Sequence, residues 1–105
     1  MSTTGTLKLT VIEAKLTRDT DFWTKMDPWV QLKIRDWQAR TKTMQNAGKT
    51  PKWNETFDIK VNYIGDDVNL IIYDEDVVGN DLVAQTNFKI SALCVNGGIE
   101  EWFPV

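Results

Sequence analysis

Histidine is absent from the 105-residue chain, and cysteine occurs once. Without histidine the chain has no Ser-His-Asp triad, no Cys-His pair and no imidazole ligand for zinc. Serine occurs only as Ser2 and Ser91, and the single Cys94 follows the apolar pair Ala92 and Leu93, which is typical of a small core residue. The sequence therefore offers no activated nucleophile, and we expect no enzyme activity.

Long apolar runs and an excess of basic charge are also lacking. No apolar stretch approaches the roughly 18 residues of a transmembrane helix, and residues 1–5 have no signal-peptide pattern. One cysteine cannot form an intrachain disulfide, so a reducing, cytoplasmic compartment is expected. The net charge of −3 argues against nucleic acid as a partner.

The chain reads as one domain over residues 1–105. Its mass is 12.1 kDa and 42% of its residues are hydrophobic, which is enough for one modest core. No repeat, low-complexity segment or linker rich in proline, glycine and serine divides it.

Apolar and polar residues alternate with period two along most of the chain, which predicts β-strands. The predicted strands are centred on residues 7–11, 30–34, 39–45, 57–61, 68–72, 84–90 and 102–105. Only residues 90–95 favour a short helical turn. About seven strands separated by turn residues predict an all-β, antiparallel sandwich, a fold that carries its function on the loops at its ends.

Two loops are rich in aspartate, at residues 19–27 and 74–81. If the fold brings them together, five carboxylates meet: Asp21, Asp27, Asp74, Asp76 and Asp81. Carboxylates at that density repel one another unless a cation lies between them. Calcium takes six to eight oxygen ligands in irregular geometry, so these loops predict a Ca²⁺ site.

The acidic loops have two other interpretations. An EF-hand is excluded because Val78 and Gln85 occupy the fifth and twelfth positions of a loop that starts at Asp74, and the flanks alternate as strands. The aspartates could also be ordinary turn formers in exposed loops, which is the better interpretation of either loop taken alone.

Several motifs in order resemble the C2 domain, a calcium-dependent, phospholipid-binding family. Residues 27–32, Asp-Pro-Trp-Val-Gln-Leu, resemble the family's Asp-Pro-Tyr-Val signature, and Asp21 precedes them at the family's spacing. Residues 41–43, Thr-Lys-Thr, and 49–57, Lys-Thr-Pro-Lys-Trp-Asn-Glu-Thr-Phe, are similar to the next two motifs. Tyr-Asp-Glu-Asp at 73–76 resembles the Asp-x-Asp loop. The resemblance covers residues 6–105.

The resemblance implies an eight-stranded Greek-key sandwich whose loops at one end bind two or three calcium ions through the five aspartates. Two departures from the family pattern are visible. The loop between Asp76 and Asp81 is one residue shorter than usual, which weakens the assignment of Asp81. The final strand of the family has no counterpart, so seven to eight strands are predicted. A missing strand leaves an open sheet edge, which is a site for pairing with another chain unless the strand count is in error.

Large apolar residues lie inside the acidic loops, where they have no core to join. They are Phe22, Trp23, Val77 and Val78. Tryptophan favours the headgroup region of a bilayer and aliphatic groups the layer below, so these side chains are predicted to insert into a membrane. Alternatively, Trp23 folds back on the sandwich.

A basic face is the second predicted membrane contact. By strand alternation Lys33, Arg40 and Lys42 line one sheet face with the aromatic residues Trp29 and Tyr73. In the C2 family this face resembles a phosphoinositide site, to which Asn80 would add a contact. The alternative is an ordinary solvated face.

Together these features predict a calcium-regulated module that docks peripherally on anionic phospholipid membranes. Two bound calcium ions would change the net charge from −3 to +1 and make the loop end attractive to lipid phosphates. The alternative function is a calcium-independent adaptor that binds a protein partner through a sheet face or the open edge.

Overall fold

The computed structural model describes residues 3–17, 25–94 and 98–105. It confirms the all-β class: six strands and one helical turn are found in this part of the chain. The elements are β1 (Thr4–Glu13), β2 (Pro28–Ile34), β3 (Trp37–Arg40), β4 (Lys52–Asn62), β5 (Asp67–Asp76), β6 (Gly79–Lys89) and α1 (Ile90–Leu93). Within the described residues no helix is long and apolar enough to cross a membrane.

The strands form two antiparallel sheets. One contains β1 and β4, and the other has the order β3-β2-β5-β6. Alternation along each strand gives each sheet one apolar face, and the two apolar faces share a single core. Leu7 and Ile59 come from the first sheet, and Leu32, Val68 and Ile72 from the second. The predicted two-sheet sandwich is thereby confirmed.

The strand predicted at 39–45 is observed as β3, Trp37–Arg40. It begins earlier than predicted, and it ends before Thr41. The Thr41 hydroxyl accepts a hydrogen bond from the Val30 amide at 2.9 Å, and the Thr41 amide donates to the Val30 carbonyl. The next amide, that of Lys42, donates to Glu55 of β4 at 2.7 Å. The Lys42 amide thus links the end of β3 to the first sheet, while the Met44 amide donates to the Pro28 carbonyl at 3.0 Å and keeps the following residues beside the start of β2.

The strand predicted at 102–105 does not form in the structure. Phe103 meets Phe88 edge-on, with ring centroids 4.8 Å apart, and Lys15 Nζ lies 4.9 Å from the centre of the Trp102 ring. This segment borders an apolar groove of about 980 Å³ beside β1 instead of pairing with it. Among the described strands β1 pairs only with β4, so no described strand lies along its other edge.

Leu32 of β2 is fully buried. Its substitution tests whether the second sheet contributes side chains to the core. Leu32→Ala should lower the free energy of unfolding by about 2–5 kcal/mol, because it removes buried methyl groups and leaves a cavity. Leu82→Ala is the matched control: Leu82 is 45% exposed and should cost less than about 1 kcal/mol. Urea unfolding measures both, and equal losses would contradict the assigned core.

Asp66 joins the two sheets at the end away from the 74–81 loop. Its carboxylate pairs with the Arg35 guanidinium in the β2–β3 turn and accepts the Asn62 amide at 2.6 Å. Its carbonyl accepts the amide of Ile90, the first residue of α1. The hydrogen bond from Arg35, reinforced by that from Asn62, lowers the pKa of Asp66 below its ordinary value of 3.8.

Because of this pairing, we expect the stability of the fold to depend on pH in the acidic range. Because the folded-state pKa of Asp66 is lowered, its contribution is present above pH 3.8 and is lost as the pH falls through the folded-state pKa. Asp66→Asn should therefore lower the melting temperature at pH 7 and reduce the further loss between pH 5 and pH 2. Asp67→Asn, at the adjacent exposed position, is the control and should keep the wild-type pH profile.

Candidate functional site

Three of the predicted acidic residues occupy one face of the β5–β6 hairpin. Asp74 is the register partner of Asp81, and Asp76 that of Gly79. Residues two apart on a strand share a face, as do directly opposite residues on neighbouring strands, so Asp74, Asp76 and Asp81 lie on the same side. Gly79 has a φ of +146°, which side-chain-bearing residues rarely adopt, and this allows the tight turn.

Asp27 connects the start of β2 to this hairpin. Its amide donates to Asp74 Oδ1 at 2.8 Å, and its carbonyl accepts the Glu75 amide at 3.0 Å. Asp27 Oδ1 accepts the Asn46 amide at 2.7 Å. Asp74 is completely buried by these surroundings, whereas Asp76 and Asp81 are exposed. The structure thus brings four of the five predicted acids to one end of the sandwich.

The carboxylates do not form a finished metal site within residues 3–17, 25–94 and 98–105. No group of three or more acidic or cysteine side chains there is close enough to hold an ion. Asp27 and Asp74 each direct one carboxylate oxygen to a backbone amide. Asp21, the fifth predicted ligand, lies outside the described residues.

The tip of the same hairpin is apolar and exposed. Val77 and Val78 form the two-residue turn between β5 and β6 and are 100% and 91% exposed. Both lie outside the core and directly follow the exposed Asp76, and their insertion into a membrane stays a prediction. Phe22 and Trp23, the other residues predicted to insert, lie outside the described residues.

An ordered stack occupies the opposite face of the second sheet. The Arg40 guanidinium carbon lies 3.8 Å from the centre of the Trp29 ring, and Tyr73 stacks on Trp29 with centroids 4.8 Å apart and planes at 30°. Trp29 Nε1 donates to Asn80 Oδ1 at 2.9 Å. Stacking covers Trp29, which is only 7% exposed. The structure therefore brings together four of the six residues predicted for this face.

The two lysines predicted for this face differ in position. Lys33 is exposed on β2, opposite Gln38 on one side and Asn69 on the other, and shares the outer face with Arg40. Lys42 follows the end of β3, and its amide is bonded to Glu55 of the first sheet. Arg40 and Lys42 are both exposed and Thr41 between them is buried, which agrees with the predicted alternation. The placement of Lys42 on the face of Arg40 stays a prediction.

Sequence reasoning missed the residues that hold the site in place. Asn46 donates to Asp27 from a left-handed backbone conformation, with φ of +56°. Asparagine adopts that conformation more readily than most residues, and the Asn-Ala-Gly sequence at 46–48 was the available signal. Thr41 was noted only as part of a motif, although its buried hydroxyl fixes the start of β2.

Two plant proteins are similar to this chain in sequence. The 16 kDa phloem protein 2 of Arabidopsis thaliana is 34% identical over 96 residues, covering 90% of this chain and 65% of that protein. Synaptotagmin-5 of Arabidopsis thaliana is 30% identical over 103 residues, covering 96% of this chain and 18% of that protein. The chain thus spans less than two thirds of the length of each of these relatives.

A solved structure shares the fold. The calcium-bound structure of two C2 domains of Extended-Synaptotagmin 2 superposes with a TM-score of 0.84 at 22% identity, covering 94% of this chain and 39% of that one. Residues 14–16 and 25–28 resemble the C2 domain of the Toll-interacting protein in sequence, but these comparisons do not confirm that nearer likeness. Residues 5–105 match the family described as "C2 domain", and with this sandwich and these relatives the chain belongs to the C2 domain family.

Proposed function

We propose that the chain docks on anionic phospholipid membranes through the end of the sandwich that carries the β5–β6 hairpin. C2 domains generally bind phospholipid membranes. The observation that carries the proposal here is the fully exposed pair Val77 and Val78 at the hairpin tip. Two adjacent aliphatic side chains at the furthest point of a hairpin gain by leaving water, and an apolar phase satisfies both together.

Calcium is the regulator that we propose for this end. When bound, the ion would be held by the carboxylates of Asp27, Asp74, Asp76 and Asp81, and it would add positive charge that attracts lipid phosphates. The donor set is all oxygen, which suits calcium. Because carboxylates without a cation repel one another, we propose that the ion itself draws these side chains together, with Asp21 as the fifth ligand.

The outer sheet face is the second proposed contact with lipid. Arg40 and Lys33 are exposed cations on one face, and each basic side chain near an anionic leaflet contributes about 1 kcal/mol. Tyr73 and Trp29 support Arg40 from below. We propose phosphoinositide headgroups as its ligands, with Lys42 as an additional cation outside the stack.

Co-sedimentation with phosphatidylserine vesicles containing a phosphoinositide tests these proposals. Binding is expected at millimolar calcium and is expected to disappear with chelator, and Asp27→Asn should lose calcium-dependent binding. Binding that survives chelator would leave membrane docking in place and overturn calcium regulation. The absence of a lipid-bound fraction under both conditions would overturn membrane docking.

A calcium-independent adaptor is the second candidate, and the open edge of β1 favours it. Some C2 domains bind proteins. β1 is ten residues long and pairs only with β4 among the described strands, so a partner's strand could add along its other edge. Partner capture unchanged by chelator, together with no vesicle binding, would support this function instead.

Three further expectations remain predictions. The C2 domain is a non-catalytic module, and we propose that this chain is likewise not an enzyme. The cytoplasmic location and the lack of a nucleic-acid partner likewise stay predictions.

A further inference from the structure

The Trp29 indole connects three strands of the second sheet. Arg40 of β3 lies over its ring at 3.8 Å, Tyr73 of β5 stacks on it at 4.8 Å, and its N–H donates to Asn80 of β6 at 2.9 Å. A single nearly buried side chain therefore touches the exposed cation of the outer face and the hairpin that ends in Val77 and Val78.

Arg40 is held in one orientation while much of its donor capacity remains available. Its Nε donates to the Thr41 carbonyl at 3.2 Å, and Nη2 donates to Thr43 Oγ1 at 2.9 Å. Three of the five guanidinium N–H groups have no hydrogen-bond acceptor among the described residues, and no described carboxylate forms an ion pair with Arg40. A fixed guanidinium with unpaired donors is suited to a phosphate group.

Asn80 makes a contact within the sheet that the sequence did not predict. Its Oδ1 faces the Trp29 N–H, and its position is directly after Gly79, opposite Glu75. The side chain thus fixes the edge of the indole whose face supports Arg40.

We propose that Asn80 is a positioning residue that acts through Trp29: its bond to the indole holds the Arg40 guanidinium in place for a lipid headgroup phosphate and couples that phosphate to the hairpin tip. This inference rests on the proposed membrane function. Coupling between two sites is reciprocal, so binding of headgroup phosphate at Arg40 restrains the hairpin as much as the hairpin restrains Arg40.

A double-mutant cycle separates this role from direct contact. The variants are Asn80→Ala, Trp29→Phe and the two combined. Trp29→Phe keeps an aromatic ring under Arg40 but lacks the indole N–H. Each single change should weaken binding of inositol 1,4,5-trisphosphate by roughly 3- to 10-fold, the scale of one lost hydrogen bond. The combined variant should bind no more weakly than either single variant, because both remove the same interaction.

Asn87→Ala is the matched control. Asn87 lies on β6, like Asn80, but far from the hairpin tip, and it accepts a hydrogen bond from Asn69 of β5 at 3.0 Å. It should leave affinity unchanged. In nuclear magnetic resonance spectra, Asn80→Ala should shift the Trp29 indole N–H signal and the Arg40 Nε–H signal, whereas Asn87→Ala should shift neither. Inorganic phosphate, titrated in parallel, should bind more weakly than the trisphosphate if a lipid headgroup is the natural ligand.

Several outcomes would overturn the inference. Multiplicative losses in the combined variant would mean that Asn80 contacts the phosphate directly. Wild-type affinity in Asn80→Ala would show that Asn80 has no role, while vesicle binding by the wild-type chain would leave the proposed function standing. If the wild-type chain binds neither the trisphosphate nor vesicles, both the inference and the proposed function fail.

Discussion

Replacing Val77 and Val78 together by serine should weaken binding to phosphatidylserine vesicles roughly 30- to 150-fold without lowering stability. Burying a valine side chain contributes about 1.5–3 kcal/mol, and partial insertion of the pair would contribute about 2–3 kcal/mol in total. The fold should be unaffected because both side chains are almost fully exposed and lie outside the core. Vesicle co-sedimentation and thermal unfolding measure the two effects.

Ile64→Ser is the matched control for this prediction. Ile64 is 72% exposed and lies in the turn between β4 and β5, at the opposite end of β5 from Val77. Its replacement should leave vesicle binding unchanged. Equal losses from both ends would mean that exposed apolar area in general, rather than the hairpin tip, drives binding.

Calcium should raise the melting temperature of the wild-type chain by roughly 10–20 °C at a hundredfold excess over its dissociation constant. An ion that binds only the folded state adds about 2.7 kcal/mol of stability at that excess. Asp74→Asn should abolish most of this rise. The asparagine retains an oxygen that accepts the Asp27 amide, so it removes the charge while preserving the local hydrogen bond.

Asp58→Asn provides the control for the calcium experiment. Asp58 is exposed on β4, opposite Lys8, and belongs to the other sheet. Its variant should show the full wild-type rise with calcium. An unmoved melting temperature in the wild-type chain would contradict the calcium proposal, and an equal rise in Asp74→Asn would place the ion elsewhere.

The strands that the sequence predicted well have one face packed against the core and the other exposed to water. Residues 7–11 and 30–34 alternate cleanly because one side faces the core and the other faces water, so burial leaves its pattern directly in the sequence. The same alternation placed Arg40 and Lys33 correctly on one face. Val77 and Val78 were predicted to lie outside the core for a different reason, which is that they lie within an acidic loop.

The errors arose where hydrogen bonds rather than burial decide the path of the chain. The strand predicted at 39–45 ends early because the Lys42 amide donates to Glu55 of the other sheet instead of continuing the pairing with β2. Residues 102–105 have an apolar composition, yet they border a groove instead of pairing with β1. Neither outcome leaves a periodic signal, because each depends on which distant group is within reach.

The amino-acid order alone determined the β class, the domain's single core, the two acidic segments and the motifs that resemble the C2 family, because each of these is a local pattern or a residue type. Only the tertiary structure decided which groups meet. It placed Asp27 against Asp74, 47 residues apart, and Trp29 between Arg40 and Asn80. Such contacts depend on strand register and on the bulge between Ile72 and Tyr73, and the energies of many side chains together set both.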